Sequence, residues 1–400
     1  MSEFETHDKN NENNIDTDTS QIHDKENGKK SRKDKNSNLG TWIVAALAVL
    51  ALTISASLYL SRPKNVATEV ESRSVTLTDV GFDTPVTLQT TCTEDEFARY
   101  LGIVKDTFTE CAKIFDAVNE QEDGETLKTK NRLAHDGPVE VDEKLIEVLN
   151  DSKEVHDLNI KFDPSQGKLT ALWRDAMNAY DESQGTKAKL PGNEEIEASI
   201  NPDSLSAVEV DGNTIRLTNE EAALDFGAIA KGYTAQLCAD RLKEAGMEFG
   251  FLNAGGNVVL IGNKPDGSSW KIGIQEPDGN ESLVVLETPT PTCLVTSGDY
   301  QRYMTIDGKR YAHIIDPTTG YPAEYMRSVT VVNPDSAYCD GMSTALFCMS
   351  VEEGMALCEK LDLDAVWITD AGSLEKTPDF STDQFDVYTT PGIKDQINLK

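Results

Sequence analysis

The chain has 400 residues, 38% of them hydrophobic and 26% charged, which is enough to bury a sizeable core in one large domain or two ordinary ones. Its formal net charge of -32 argues against nucleic acid as a partner, because binding a phosphate backbone needs a basic stripe. Such a surface also repels bare anions, so an anionic ligand is expected to come with a cation.

Residues 1–40 are polar, from MSEFETHDKNNENN to KDKNSN, and hold too few large apolar side chains to offset chain entropy; disorder is the expectation. The next stretch, TWIVAALAVLALTISASLYL at 41–60, carries no charge. About 20 apolar residues, at about 1.5 Å each, span a bilayer core. Lys25, Lys29, Lys30, Arg32, Lys33 and Lys35 crowd its N-terminal side, against Arg62 and Lys64 beyond it. The bias predicts a transmembrane signal anchor over 41–61 in the cell membrane, with a cytoplasmic N-terminus and an extracytoplasmic remainder. The small residues SAS at 55–57 keep signal-peptide cleavage as the competing reading. Residues 62–76 read as a linker, and 77–395 as the folded domain.

Within that domain SVTLTDVGFDTPVTLQTTC alternates as strands do. EDEFARYLGIVKDTFTECAKIFDAV and DEKLIEVLNDSKEVHDL repeat apolar residues at helical spacing. FDPSQGKLTALWRDAMNAY reads as a loop and a short helix, and SAVEVDGNTIRLT as strands. A helix is expected from about Gly232 to Ala245, with Tyr233, Leu237 and Leu242 inward and Gly246 as its stop. FGFLNAGGNVVLIG is strand, glycine break and strand. WKIGIQEP, ESLVVLE, TCLVTSG, QRYMTI, KRYAHIID and SVTVVNP are further short strands. CDGMSTALFCMSVEEGMALCEKL is helical in two pieces, and LDAVWITD is a late strand. Strands and helices mix without a βαβ repeat, so the class is α+β with mainly antiparallel sheets.

Cys92, Cys111, Cys238, Cys293, Cys339, Cys348 and Cys358 form no CxxC or Cys/His pattern, which argues against zinc. Their apolar helical settings suggest buried thiols rather than a disulfide framework.

Four stretches carry candidate chemistry. In LDFGAIAKGY, small residues let a ligand approach the backbone at a helix start, Lys231 offers a point charge, and Asp225 either bonds a ligand or caps the turn. The stretch matches neither GxxxxGK[ST] nor GxGxxG, and a plain strand-to-helix connection is the competing reading. In DGMSTALF, Asp340 and Thr344 are four apart and share a helical face. Their hard oxygens suit Mg²⁺, which keeps phosphate oxygens and waters as further ligands; a helix cap and a packed hydroxyl are the alternative. His313 in YAHIIDPTTGYP is a candidate base, with Asp316 either orienting it or capping the turn, and a structural histidine is the alternative. FDPSQG at 162–167 adds a loop with an aromatic, an acid and a proline.

Taken in order, LDFGAIAKGY, LNAGGNV, WKIGIQEP, HIIDPTTGYP and DGMSTALF, with FDPSQGKLTALW and VTLTDVGFDTPVTLQ upstream, resemble the FAD:protein FMN transferase (ApbE) family over roughly residues 77–390. The resemblance implies an α+β fold of T-fold-related antiparallel sheets with flanking helices, and an Mg²⁺-dependent flavin transferase. Such an enzyme cleaves FAD, attaches FMN through a phosphoester to a threonine of an exported acceptor, and releases AMP. It implies Ala228 (by its carbonyl), Asp340 and Thr344 as metal ligands and His313 as the residue activating the acceptor hydroxyl. Asp225, Lys231, Ile314, Phe162, Asp163 and Lys161 fall on FAD-contacting positions. Where many relatives carry an AMGT-like stretch this chain has GFDT, which puts Phe82 beside the flavin ring. FDPSQGKL likewise departs from the commoner FDPTVGPL. The partners implied are FAD and a threonine-bearing protein, an electron-transfer protein by expectation. An FAD pyrophosphatase giving FMN and AMP, or a non-catalytic flavin binder, are the rival functions.

Overall fold

The computed structural model describes residues 69–185 and 189–400. The expected tail and membrane anchor lie outside the described residues, among which no helix is long and apolar enough to cross a membrane.

The framework is a nine-stranded sheet. Its strands are β1 (Glu71–Leu77), β2 (Val86–Cys92), β3 (Gly250–Ala254), β4 (Asn257–Ile261), β5 (Cys293–Gly298), β6 (Ser328–Asn333), β7 (Asp364–Asp370), β8 (Phe380–Ser381) and β9 (Phe385–Thr389). They lie in the order β1-β2-β3-β4-β5-β6-β7-β9-β8, and every pairing is antiparallel. Residues 71–76, expected as linker, belong to edge strand β1, in register with β2 from Glu71 opposite Cys92 to Leu77 opposite Val86.

The sheet is covered on both faces, and its sequence shows why. In β7, Ala365 and Trp367 point into one apolar core while Val366 and Ile368 point into the other. A strand with period-two side chains and two buried faces reads as the continuous apolar run AVWI. Helices α1 (Glu94–Ile114), α2 (Leu127–Ala134), α3 (Glu143–Leu158), α6 (Ala230–Glu244), α7 (Ser336–Phe347) and α8 (Val351–Leu361) fill the first side, while α4 (Gly167–Glu182) and α5 (Asn193–Glu197) build a separate small core of Leu169, Trp173, Met177 and Ile196 with Met304. On the second side, strands 270–275 and 282–288, joined by 397–399, bring Trp270, Ile274, Val284 and Leu286 against Leu260, Leu294, Val387 and the β7 residues.

Local signals set the helix ends. Thr93 and Glu96 close a capping box on α1, and Ser350 and Glu353 do so on α8. The helix expected from Gly232 begins two residues earlier, at Ala230. Tyr233 and Leu242 are buried as expected, and Leu237 is only partly so. Gly246 ends the run at φ 92, where a left-handed residue lets the Met247 amide reach the Leu242 carbonyl at 2.9 Å. The helix after FDPSQG is not short but spans 16 residues. The helix carrying DGMSTALF starts at Ser336 and is capped by Asp335, whose side chain accepts from the Tyr338 amide, so Asp340 is not the cap of its own helix.

Candidate functional site

α6 has no side-chain cap of its own. The need is met across the chain: the buried Asp340 carboxylate, on α7, accepts the Gly232 amide through Oδ2 at 2.8 Å. This places a negative charge at the positive end of α6, where the amides of the first turn lack intrahelical partners. It also requires close contact of the two helices. A Cβ on Gly232 would sit 2.3 Å from the Ser336 carbonyl oxygen and 2.5 Å from the Asp340 Cβ, so only glycine fits.

The same approach gathers three oxygens. One turn beyond Asp340, the Thr344 hydroxyl lies 3.5 Å from the Ala228 carbonyl oxygen. Lys231 Nζ stands 3.9 Å from Asp340 Oδ2 and donates to the Gly227 carbonyl at 3.3 Å. Burial holds the Asp340 carboxyl above its ordinary pKa, against the opposing pull of Lys231 and the Gly232 amide. The oxygens gathered here are a carbonyl, a carboxylate and a hydroxyl. That set fits a hard divalent cation such as Mg²⁺ that keeps other oxygen ligands. Among the described residues no three His, Cys, Asp or Glu side chains converge as a metal cage, so such an ion would draw on substrate oxygens and water.

These residues form one wall of a cleft of about 290 Å³. Every expected site residue except Phe82 lines it: Lys161, Phe162, Asp163, Asp225, Ala228, Lys231, His313, Ile314, Asp340 and Thr344. Phe82 lines an adjoining lobe that shares Lys231 and His313 with the cleft, and it meets Phe108 edge-on at 6.3 Å.

His313 is positioned by backbone rather than by Asp316. Its Nδ1 lies 3.1 Å from the Arg302 carbonyl oxygen. A carbonyl only accepts, so Nδ1 carries the proton and Nε2 keeps its lone pair. Enclosure by the cleft walls, and then the positive charge of Lys231, hold the imidazole below its ordinary pKa. The ring is exposed to cleft water, which limits the size of that displacement and not its direction. Asp316 instead caps the DPTTG turn, accepting from the Thr318 amide at 2.9 Å, and pairs with Lys161 at 2.5 Å. Lys161 also donates to Thr318 Oγ1 at 2.7 Å, so its ammonium is committed to this turn.

Asp163 is similarly occupied: Oδ1 takes the Ser165 amide and hydroxyl, and Oδ2 takes Gln166 and Ser204. Phe162 is buried beneath the cleft, with its carbonyl accepting from His156. Asp225 caps its own turn through the Gly227 amide at 2.9 Å and is held by Thr170 at 2.8 Å and Arg174 at 3.2 Å. Thr170 and Arg174 were not expected in the site. Their spacing on α4, four residues apart on one face, is the signal that could have found them. Arg302 and Gln301 also line the cleft; expected as the start of the strand QRYMTI, they lie just before it, since the strand begins at Tyr303.

Fold and site together define an α+β protein whose cleft is lined by an ammonium, an imidazole and a cluster of hard oxygens. Residues 82–367 match the model of the ApbE family, and the chain belongs to that family. It is 31% identical over 277 residues to an FAD:protein FMN transferase of Vibrio cholerae serotype O1, covering 67% of this chain and 81% of that protein. An FAD:protein FMN transferase of Klebsiella pneumoniae is 35% identical over 213 residues, 52% of this chain and 63% of that one. Among solved structures, the ApbE protein of Thermotoga maritima superposes with a TM-score of 0.65 at 26% identity, over 74% of this chain and 94% of its own. The flavin transferase ApbE of Vibrio cholerae gives 0.65 at 25% identity, over 81% and 99%.

Proposed function

We propose that this chain is an Mg²⁺-dependent FAD:protein FMN transferase that joins FMN to a threonine hydroxyl of an acceptor protein and releases AMP. One observation supports this most: a hard-oxygen triad (Ala228, Asp340, Thr344) and a neutral imidazole (His313) line a single cleft that also holds Lys231. In the reaction the phosphorus–oxygen bond between the FMN and AMP halves of FAD breaks, and the FMN phosphorus bonds to the threonine oxygen. His313, through Nε2, takes the hydroxyl proton. Lys231 meets the transferring phosphate as a point charge, since the Ala230 and Gly232 amides at the start of α6 are already taken by the Phe226 carbonyl and the Asp340 carboxylate. Ala228, Asp340 and Thr344 would hold the ion, which when bound supplies charge neutralisation at the pyrophosphate.

The test is to incubate the purified full chain with FAD, Mg²⁺ and a threonine-bearing acceptor domain, reading acceptor mass and AMP together. An FMN-sized gain in mass that vanishes with Asp340→Ala or EDTA is expected. AMP and free FMN without labelling would mean that water is the acceptor, as in a pyrophosphatase. Intact FAD after hours would leave only a flavin binder. The proposal includes the location: segment 41–60 anchors the chain in the cell membrane with its catalytic domain outside, where the acceptor is an exported electron-transfer protein. External protease that leaves the domain intact in whole cells but digests it after lysis would overturn that placement.

A further inference from the structure

The loop that presents the Arg302 carbonyl is itself fixed from behind. Residues 303–306 and 309–312 form a two-stranded hairpin outside the nine-stranded sheet, and Arg302 and His313 stand at its base. There the Arg302 carbonyl accepts both the amide and Nδ1 of His313, each at 3.1 Å. One side of the hairpin rests on apolar packing, with Tyr311 stacked on Trp173 at 6.4 Å. The other is held by charge. Asp299, the residue after β5, accepts through Oδ2 from Arg310 of the hairpin at 3.0 Å and from Arg327, just before β6, at 2.9 Å. Its amide donates to the Arg327 carbonyl at 3.0 Å, and the Arg327 amide donates to Ile368 of β7 at 2.9 Å. Its Oδ1 is buried without a hydrogen-bond partner among the described residues. A buried carboxylate oxygen left unpaired is costly, and here it accompanies a rigid link between sheet and hairpin.

We propose that Asp299 is a positioning residue for His313: by locking Arg310 and Arg327 to one carboxylate oxygen it fixes the hairpin base, and so the Nδ1–H tautomer that leaves Nε2 free. This rests on the reading of His313 as proton acceptor. Asp299 touches no reacting atom; it acts through Arg310, the hairpin and the Arg302 carbonyl. An amide in its place keeps the shape and removes the buried one of the carboxylates on these guanidinium groups, leaving Asp278 on both and Asp370 on Arg327 at the surface.

The experiment uses the full chain labelled with ¹⁵N at histidine. The His313 ring signals are identified by their absence in His313→Gln, and two-bond nitrogen–proton couplings report the tautomer without reference to activity. The native protein is expected to show Nδ1–H alone, and Asp299→Asn a mixture with Nε2–H. The turnover number of Asp299→Asn should fall between about 10- and 100-fold while KM for FAD stays unchanged, as for a displaced catalytic group. If Asp299→Asn does not fold, Arg310→Gln, which removes a partner at a half-buried position, should change tautomer and turnover in the same direction and by less. Native tautomer and native turnover in either folded variant would overturn the proposal. A changed tautomer with unchanged turnover would uphold the positioning and remove His313 from the role of base, as would native turnover in His313→Gln.

Discussion

Thr344 and Ala228, 116 residues apart in the chain, meet at 3.5 Å between a side-chain hydroxyl and a backbone carbonyl. Among the described residues neither oxygen is claimed by a short hydrogen bond, and Asp340 lies one helical turn before Thr344. Thr344→Val keeps the shape and deletes one oxygen. The Mg²⁺ concentration needed for half-maximal AMP release should rise about tenfold or more, since one ligand of a weakly caged ion is lost. Thermal stability without Mg²⁺ should change little. An Mg²⁺ titration superimposable on that of the native protein would remove Thr344 from the ligand set.

Gly232 sets how closely α6 and α7 approach. Gly232→Ala forces a methyl group into contacts of 2.3 Å and 2.5 Å, one of them with backbone that cannot swing aside. Overpacking of this kind costs about 1–3 kcal/mol. The same displacement moves Asp340 away from the α6 amides, so activity should fall further than stability alone explains. Denaturant unfolding and AMP release, measured side by side below the melting transition, test this. Native activity in a destabilised variant would separate the packing from the site.

How much of this was readable beforehand depended on range. Strand and helix periods in β5, β6, β7, α1 and α3 are local, and the sequence displays them. The i, i+4 relation of Asp340 and Thr344 is local as well. What no local pattern carries is the remote cap: α6 lacks a capping side chain, and its partner lies 108 residues downstream. Asp316 shows the converse, since two roles fitted its sequence and only the packing of Lys161 and the DPTTG turn chose between them. Residues 71–73 misled, ahead of the SVTL alternation from Ser74, because an exposed edge strand is polar, much like a linker.

All seven cysteines are buried and unpaired. Burial pushes the Cys111 thiol up to about 11 and the Cys238 thiol up to about 12, which leaves almost no reactive thiolate near neutrality. A thiol reagent at pH 8 should therefore label the native protein very slowly and all seven cysteines on unfolding. Reducing agent should leave the melting temperature unchanged. Rapid labelling of even one thiol, or a melting point lowered by reductant, would contradict this picture.

The pH dependence of turnover should report His313 through a lowered pKa. In the proposed role of proton acceptor, the active form is the neutral imidazole. Enclosure, and then the Lys231 charge, disfavour the protonated form and hold the pKa below the usual value of about 6.5, by an amount that the ring's exposure to cleft water limits. Turnover should therefore stay level as pH falls through the ordinary histidine range and drop only below it. His313→Gln should lose the acid limb together with about 100-fold or more of the rate. Lys231→Met removes a nearby positive charge, so protonation becomes easier and the limb should move up in pH, alongside a loss in rate from the missing phosphate partner. A native limb at or above 6.5, or a limb that moves down in Lys231→Met, would mean that another group titrates there and that His313 does not carry the proton.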